Sequence, residues 1–308
     1  MPLIDQTTRG VFVIAVTPFD DAGALDLDSL DRVTDFYLGA GADGLTILGM
    51  MGEAPKLTQA ESRTVIERVI ARAPGVPVVV GVSAPGLAAI GELSAAAMDL
   101  GAAGVMVAPP GSLNTNEAIA AYYGQVAQVI GAGVPLVVQD YPLATGVTIS
   151  NATLNRIVAE VPQVVMLKHE DWPGLAKISA LRAAEAAGQR RISVLCGNGG
   201  LFLPEEVARG ADGAMTGFAF PEMMVGVVAA AAAGEMDRAR DLFDVYLPLV
   251  RYEQQPGAGL AVRKHVLWKR GAIASPALRR PGAGVDAATE AEIAALWKRQ
   301  DRRLAALG

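Results

Sequence analysis

Residues 164–170 read Val-Val-Met-Leu-Lys-His-Glu, an apolar run that ends abruptly in a lysine. That is how a buried strand reads when it terminates at a polar site. Alternate strand residues share a face, so Val164, Met166 and Lys168 are expected to point one way, with Val165 and Leu167 pointing the other. Such a lysine has two readings. It could snorkel its charge to water along an apolar stem. It could instead be a nucleophilic amine that forms a Schiff base with a carbonyl. The second role requires a free lone pair. Bringing a lysine pKa from about 10.4 to near 7 means disfavouring the ammonium by roughly 4–5 kcal/mol, which desolvation in an apolar tube can supply.

Other clusters offer weaker chemistry. His169, Glu170 and Asp171 include metal-ligand types, but adjacent strand residues face opposite ways, and the second histidine of the chain is the distant His265. No metal and no cofactor is expected. Residues 197–200, Gly-Asn-Gly-Gly, could cradle a phosphate after a strand but read more simply as a tight turn. Cys196 reads as a small core residue.

The elements that would position Lys168 repeat along the chain. Strands are expected at 11–17, 45–48, 77–82, 105–108, 136–139, 164–168, 192–196 and 214–216, separated by helical patterns such as 28–38, 88–100, 151–161, 174–187 and 221–233. A Gly-Ala-Asp/Ala-Gly signature, a helix C-cap followed by a tight turn, precedes three of the strands at 41–44, 101–104 and 210–213. Eight strand–helix units within residues 1–234 predict a (β/α)8 TIM barrel, fold class α/β. No Gly-x-Gly-x-x-Gly follows the first strand, which counts against a doubly wound dinucleotide fold. Residues 235–308 read as a helical region packed on the barrel, with helical spacing at 237–249, 259–270 and 287–304.

Composition narrows the class. The 308 residues are 52% hydrophobic and carry 26 basic against 32 acidic side chains, a net charge of -6. That balance argues against nucleic-acid or anionic-membrane partners. The single cysteine rules out an intrachain disulfide and fits a reducing compartment. Residues 1–10 lack the apolar core of a signal peptide, and the longest apolar run, 223–234, is too short to span a bilayer. A cytoplasmic location is expected.

In a TIM barrel the site lies at the C-terminal ends of the strands. The informative positions are then Thr17 after strand 1, Gly49, Met50, Met51 and Glu53 after strand 2, and Gln139 and Tyr141 after strand 5. Lys168 ends strand 6, Gly197 follows strand 7, and Thr216 and Gly217 end strand 8. Backbone amides in such glycine-rich loops can approach a carboxylate closely. Glu53 could be a general base or could brace the helix starting near Thr58. Gln139 could orient substrate hydroxyls or tie down a loop. Met50 and Met51 read more simply as packing.

The chain resembles the dihydrodipicolinate synthase / N-acetylneuraminate lyase superfamily of Schiff-base-forming aldolases and dehydratases. The resemblance rests on Val16-Thr17-Pro18-Phe19, on Gly-x-x-Gly-Glu at 49–53 with Leu57-Thr58, on Lys168, on Gly197 and on the Gly-Ala-Asp-Gly entry to strand 8. It covers nearly the whole chain, including the helical region. It implies that Lys168 forms an imine with a small 2-oxo acid, and that the protein is a homotetramer built as a dimer of dimers.

Departures from the family pattern bear on substrate. Met50 and Met51 replace two threonines, Gln139 stands where the family's strand-5 tyrosine would be, and Ala144 occupies the position of an arginine that holds a second carboxylate. Pro110-Gly111 replaces a tyrosine pair used across a subunit contact. The stretch 139–142, Gln-Asp-Tyr-Pro, is most similar to 2-keto-3-deoxy-pentonate dehydratases, as are 213–217 and 247–249. The resemblance therefore implies dehydration of a 2-keto-3-deoxy sugar acid, with the substrate carboxylate on the amides around Met50 and Met51. Water, the substrate's own groups, Tyr141 or Glu53 is left to relay protons. A pyruvate-dependent aldolase or synthase and a catalytically weak 2-oxo acid binder are the alternatives.

Overall fold

The computed structural model describes residues 2–307. Eight parallel strands close into a barrel in sequence order: β1 Gly10–Ile14, β2 Gly44–Ile47, β3 Val78–Gly81, β4 Gly104–Val107, β5 Leu136–Asp140, β6 Val164–His169, β7 Ser193–Cys196 and β8 Gly213–Thr216. The expected TIM barrel is the observed fold. The strands are almost wholly buried because helices cover the outside and side chains fill the inside, which is why they read as unbroken apolar runs. β1 ends at Ile14, three residues earlier than its apolar pattern, although the Ala15 amide still donates to the Thr46 carbonyl at 2.9 Å.

The barrel interior holds Phe12, Ile14, Val79, Met106, Val137, Met166, Leu195 and Met215, with Ile4 joining the same cluster. A larger apolar layer lies between strands and helices. The alternation expected for β6 holds for its second half. Met166 faces inward and Leu167 outward. It fails at the start, where Val164 belongs to the outer layer and Val165 packs against the inner one. The cause is an irregularity in the β5–β6 pairing. Leu136 pairs with Val164 but Val137 pairs with Met166, so one residue of β6 is extra and the faces exchange. Past this point the register is regular, placing Gln139 beside Lys168 and Asp140 beside His169.

After the barrel helix Pro221–Ala232 come three helices, Met236–Glu253, Gly259–Lys269 and Ala287–Leu307. They are tied to the barrel by Trp297 edge-on to Phe220 at 5.3 Å, by Arg270 donating to the Ala219 carbonyl at 2.6 Å, and by two buried cations discussed below. Among the described residues no helix is long and apolar enough to cross a membrane.

Candidate active site

β5 and β6 deliver the centre of the site. Lys168 is 5% exposed at the inner C-terminal rim, and its Nζ lies 3.0 Å from Glu170 Oε2. Gln139 Nε2 donates to that same oxygen at 2.8 Å. Glu170 is two residues beyond Lys168 and shares its face, so one strand presents both the amine and its carboxylate partner. The carboxylate needs space that β7 provides. A Cβ on Gly197 would fall 2.1 Å from Glu170 Cγ, so the glycine is required by close approach.

These groups open onto a small cavity, about 50 Å³, lined also by Met50, Met51, Tyr141, Thr216, Gly217, Asn198 and Arg263. Met50 and Met51 begin a single 3-10 turn, Met50–Gly52. As at any helix start, the turn does not use its own first amides, which leaves the Met50 and Met51 N–H groups for an anion. Tyr141 heads the short helix Pro142–Thr145. Burial raises its phenol pKa above the usual value, Glu170 raises it further and Arg263 opposes the rise. Tyr141 is therefore a protonated phenol at neutral pH, lining the same cavity as Glu170 and Arg263.

Among the described residues, three non-glycine residues adopt left-handed backbone conformations, Leu48 (φ 54°), Glu53 (φ 55°) and Asn198 (φ 50°). All lie in the loops after β2 and β7, and Asn198 lines the cavity itself. Such conformations cost of order 1 kcal/mol or more each and concentrate at functional sites.

The candidate residues divide accordingly. Lys168, Gln139, Tyr141, Met50, Met51, Thr216 and Gly217 meet around one cavity. Gly49 caps the strand-2 turn, and Gly197 makes room for Glu170. Thr17 lies one layer back, where its Oγ1 donates to the Gly52 carbonyl at 2.6 Å and fixes the strand-2 loop.

Glu53 is turned away from the cavity. Its carboxylate accepts from Lys264 Nζ at 2.6 Å, Lys56 Nζ at 2.8 Å and the Arg279 amide at 3.1 Å. With both oxygens engaged by cations and an amide, Glu53 joins the strand-2 loop to the C-terminal helices and is not available as a base. Nor does it cap the next helix, which is capped by a Thr58–Glu61 box.

Glu170, Asn198, Gln254 and Arg263 line the cavity without having been singled out as site residues. The signal for Glu170 was present, since strand periodicity carried two residues past Lys168 reaches it. His169 faces outward, with Nε2 3.1 Å from the Gly174 carbonyl.

Comparison with known proteins places the chain in a family. The dihydrodipicolinate synthetase family model matches residues 7–300. A curated relative, the L-2-keto-3-deoxyarabonate dehydratase of Azospirillum brasilense, is 35% identical over 302 residues, covering 95% of this chain and 94% of that protein. A 4-hydroxy-tetrahydrodipicolinate synthase of Thiobacillus denitrificans is 32% identical over 257 residues, covering 79% of this chain and 81% of that one. Among solved structures, one described as dihydrodipicolinate synthase from Rhodopseudomonas palustris superposes with a TM-score of 0.96 at 51% identity, covering 97% of this chain and 100% of that one. The fold is that of a (β/α)8 barrel, and the chain belongs to the dihydrodipicolinate synthetase family. It is a lyase of that family.

Proposed function

We propose that the protein is a Schiff-base-forming hydro-lyase that removes water from a 2-keto-3-deoxy sugar acid of the pentonate type. The observation that carries this reading is the buried Lys168–Glu170 pair, 3.0 Å apart, beside a cavity that Tyr141 also lines. The A. brasilense dehydratase, similar over nearly the full length of both chains, supports the choice of reaction.

Each step has a group to perform it. Glu170 takes a proton from the Lys168 ammonium, and the freed amine attacks the C2 carbonyl. The carbinolamine hydroxyl takes that proton back from Glu170 and leaves as water, giving an iminium that draws electrons from C3 and leaving Glu170 ionised. The substrate carboxylate rests on the Met50 and Met51 amides. Glu170, held in place by Gln139, removes a C3 proton and yields an enamine. Tyr141, a phenol at working pH, protonates the C4 hydroxyl as it leaves as water. The Tyr141 phenolate takes a C5 proton, and protonated Glu170 returns its proton to C3. The resulting C4–C5 enol tautomerises to the aldehyde as its hydroxyl proton is exchanged for one on C4. Hydrolysis of the imine then releases a 2-oxo semialdehyde and regenerates Lys168. The net change is loss of one water.

A second reading has its own support, since the 51% identical R. palustris protein is described as a dihydrodipicolinate synthase. The position of the synthases' second-carboxylate arginine is here Ala144, an exposed side chain with nothing to offer an anion. A deciding assay offers the protein 2-keto-3-deoxy-pentonates in one vessel and pyruvate with aspartate semialdehyde in another. Semialdehyde release in the first supports the dehydratase, and condensation in the second supports the synthase. Binding without turnover in either would leave a 2-oxo acid binding protein. We further propose a cytoplasmic homotetramer, a dimer of dimers, with the C-terminal helices helping to form the contacts. A chain ending at Gly234 that stayed folded and assembled would contradict that role for the helices.

A further inference from the structure

The C-terminal helices do more than cover the barrel. Arg263, on the helix Gly259–Lys269, is 1% exposed and lines the same cavity as Lys168. Its Nε donates to Glu253 Oε1 at 2.6 Å, and its Nη2 donates to the Gly217 carbonyl. Its Nη1 has no hydrogen-bond partner among the described residues. Glu253 is itself buried and accepts from the Ala219 amide at 3.1 Å, so the guanidinium is clamped along its other edges. The approach to the cavity depends on Gly217, where a Cβ would fall 2.1 Å from Nη1. The neighbouring Gln254 lines the cavity as well, its carboxamide packed where Gly199 lacks a side chain.

We propose that Arg263 and Gln254 bind the end of the substrate remote from its carboxylate, and that they select a hydroxylated, uncharged end. This inference rests on the reading of Lys168 as the imine-forming residue. It names the substrate class from the charge arrangement. The Arg263 charge is already matched by Glu253, and Lys168 is matched by Glu170. The cavity therefore offers a rigid N–H donor and a carboxamide, not a free positive charge. A hydroxyl can accept from Nη1 and exchange hydrogen bonds with Gln254. A second carboxylate would enter beside Glu170 and Glu253 with no unpaired cation to meet it. A buried donor left without a partner is satisfied by a substrate oxygen, so it also rewards the correct substrate.

The test uses the full-length protein and two variants. Arg263→Lys keeps a cation for Glu253 but withdraws the donor from the cavity. Gln254→Ala removes a half-buried side chain. Each is assayed by borohydride trapping with pyruvate, which has no remote end, and by kcat and KM with a 2-keto-3-deoxy-pentonate. Pyruvate trapping on Lys168 should change less than about twofold in both variants. For the sugar acid, kcat/KM should fall on the order of 30-fold in Arg263→Lys and about fivefold in Gln254→Ala, mainly through KM. In the wild type, 2-oxoglutarate, charged at its far end, should trap more weakly than the sugar acid. Equal losses for pyruvate and the sugar acid, unchanged sugar-acid kinetics, or preference for 2-oxoglutarate would overturn the anchor while leaving imine formation intact. Absence of any adduct on wild-type Lys168 would overturn the underlying reading, and this inference with it.

Discussion

β5 and β6 carry two buried lysine–carboxylate groups on opposite faces. Inside the barrel, Lys168 meets one carboxylate oxygen of Glu170 at 3.0 Å, among the described residues, and faces a cavity. Outside, Lys177 reaches in from the helix Leu175–Ala186, donates to Asp140 and to the Ile149 carbonyl, each at 2.6 Å, and forms an ion pair with Asp171 at 2.7 Å. An ammonium has three protons to donate, and Lys177 has an acceptor for each. It is held as an ammonium, with no proton left to direct at a substrate. Burial and a nearby carboxylate are thus common to both lysines. What separates them is unused hydrogen-bonding capacity directed at a place where a substrate can sit. Lys264, held by Glu53, the Ala277 carbonyl and the face of the Phe19 ring 4.5 Å away, sorts with Lys177.

The largest expected effect comes from removing the inner amine. Lys168→Ala should lower turnover by at least about 10⁴-fold while the protein unfolds at nearly the wild-type temperature. Retained turnover in that variant would erase the distinction between the two lysines. Next, Glu170→Gln keeps the shape and the Gln139 contact but removes the base. It should cost about 10²–10⁴ in kcat while slow trapping on Lys168 persists. A variant with wild-type kcat would show that the base lies elsewhere.

Lys177→Met should do the reverse of Lys168→Ala. It leaves Asp140 and Asp171 without their cation, a loss of about 3–5 kcal/mol of stability, measurable by denaturant titration. Lys168 should still trap pyruvate wherever the variant is folded. Loss of trapping in folded protein would show that the outer cluster is part of the chemistry.

The smallest effect is a change of slope with pH. Burial pushes Asp140 up to about 6 and His169 down to about 4. Asp140 holds an extra proton in the folded state above its ordinary 3.8, so its contribution to stability is lost as pH rises through 6. His169 holds one fewer than its ordinary 6.5 would give, so its contribution is lost as pH falls toward 4. Over pH 4–6 the two oppose each other. Asp140→Asn removes the first and should make stability rise more steeply, or fall less steeply, with pH across that window than it does in the wild type. An unchanged slope would contradict the assignment of burial as the cause.

Much of this arrangement was legible in the sequence. The eight strands, the closed barrel and the position of Lys168 followed from apolar runs and their spacing. The exchange of Val164 and Val165 did not, because an irregularity in strand pairing depends on the neighbour as well as on the strand itself. Glu170 could have been read by continuing the same alternation two residues further. Glu53 looked available because its partners, Lys264 and Arg279, lie more than 200 positions away in the sequence. Arg263 and Gln254 escaped for the same reason. Their region carries only the helical spacing of packing helices, and no local pattern says which of its polar residues turn toward the barrel mouth.

The most direct measurement is reductive trapping. The protein is incubated with pyruvate or a 2-keto-3-deoxy sugar acid, reduced with borohydride, digested and mapped by mass spectrometry. The account predicts one adduct, on Lys168, with Lys177 and Lys264 unmodified. An adduct on either of the fully engaged lysines, or none on Lys168 with any 2-oxo acid, would contradict it.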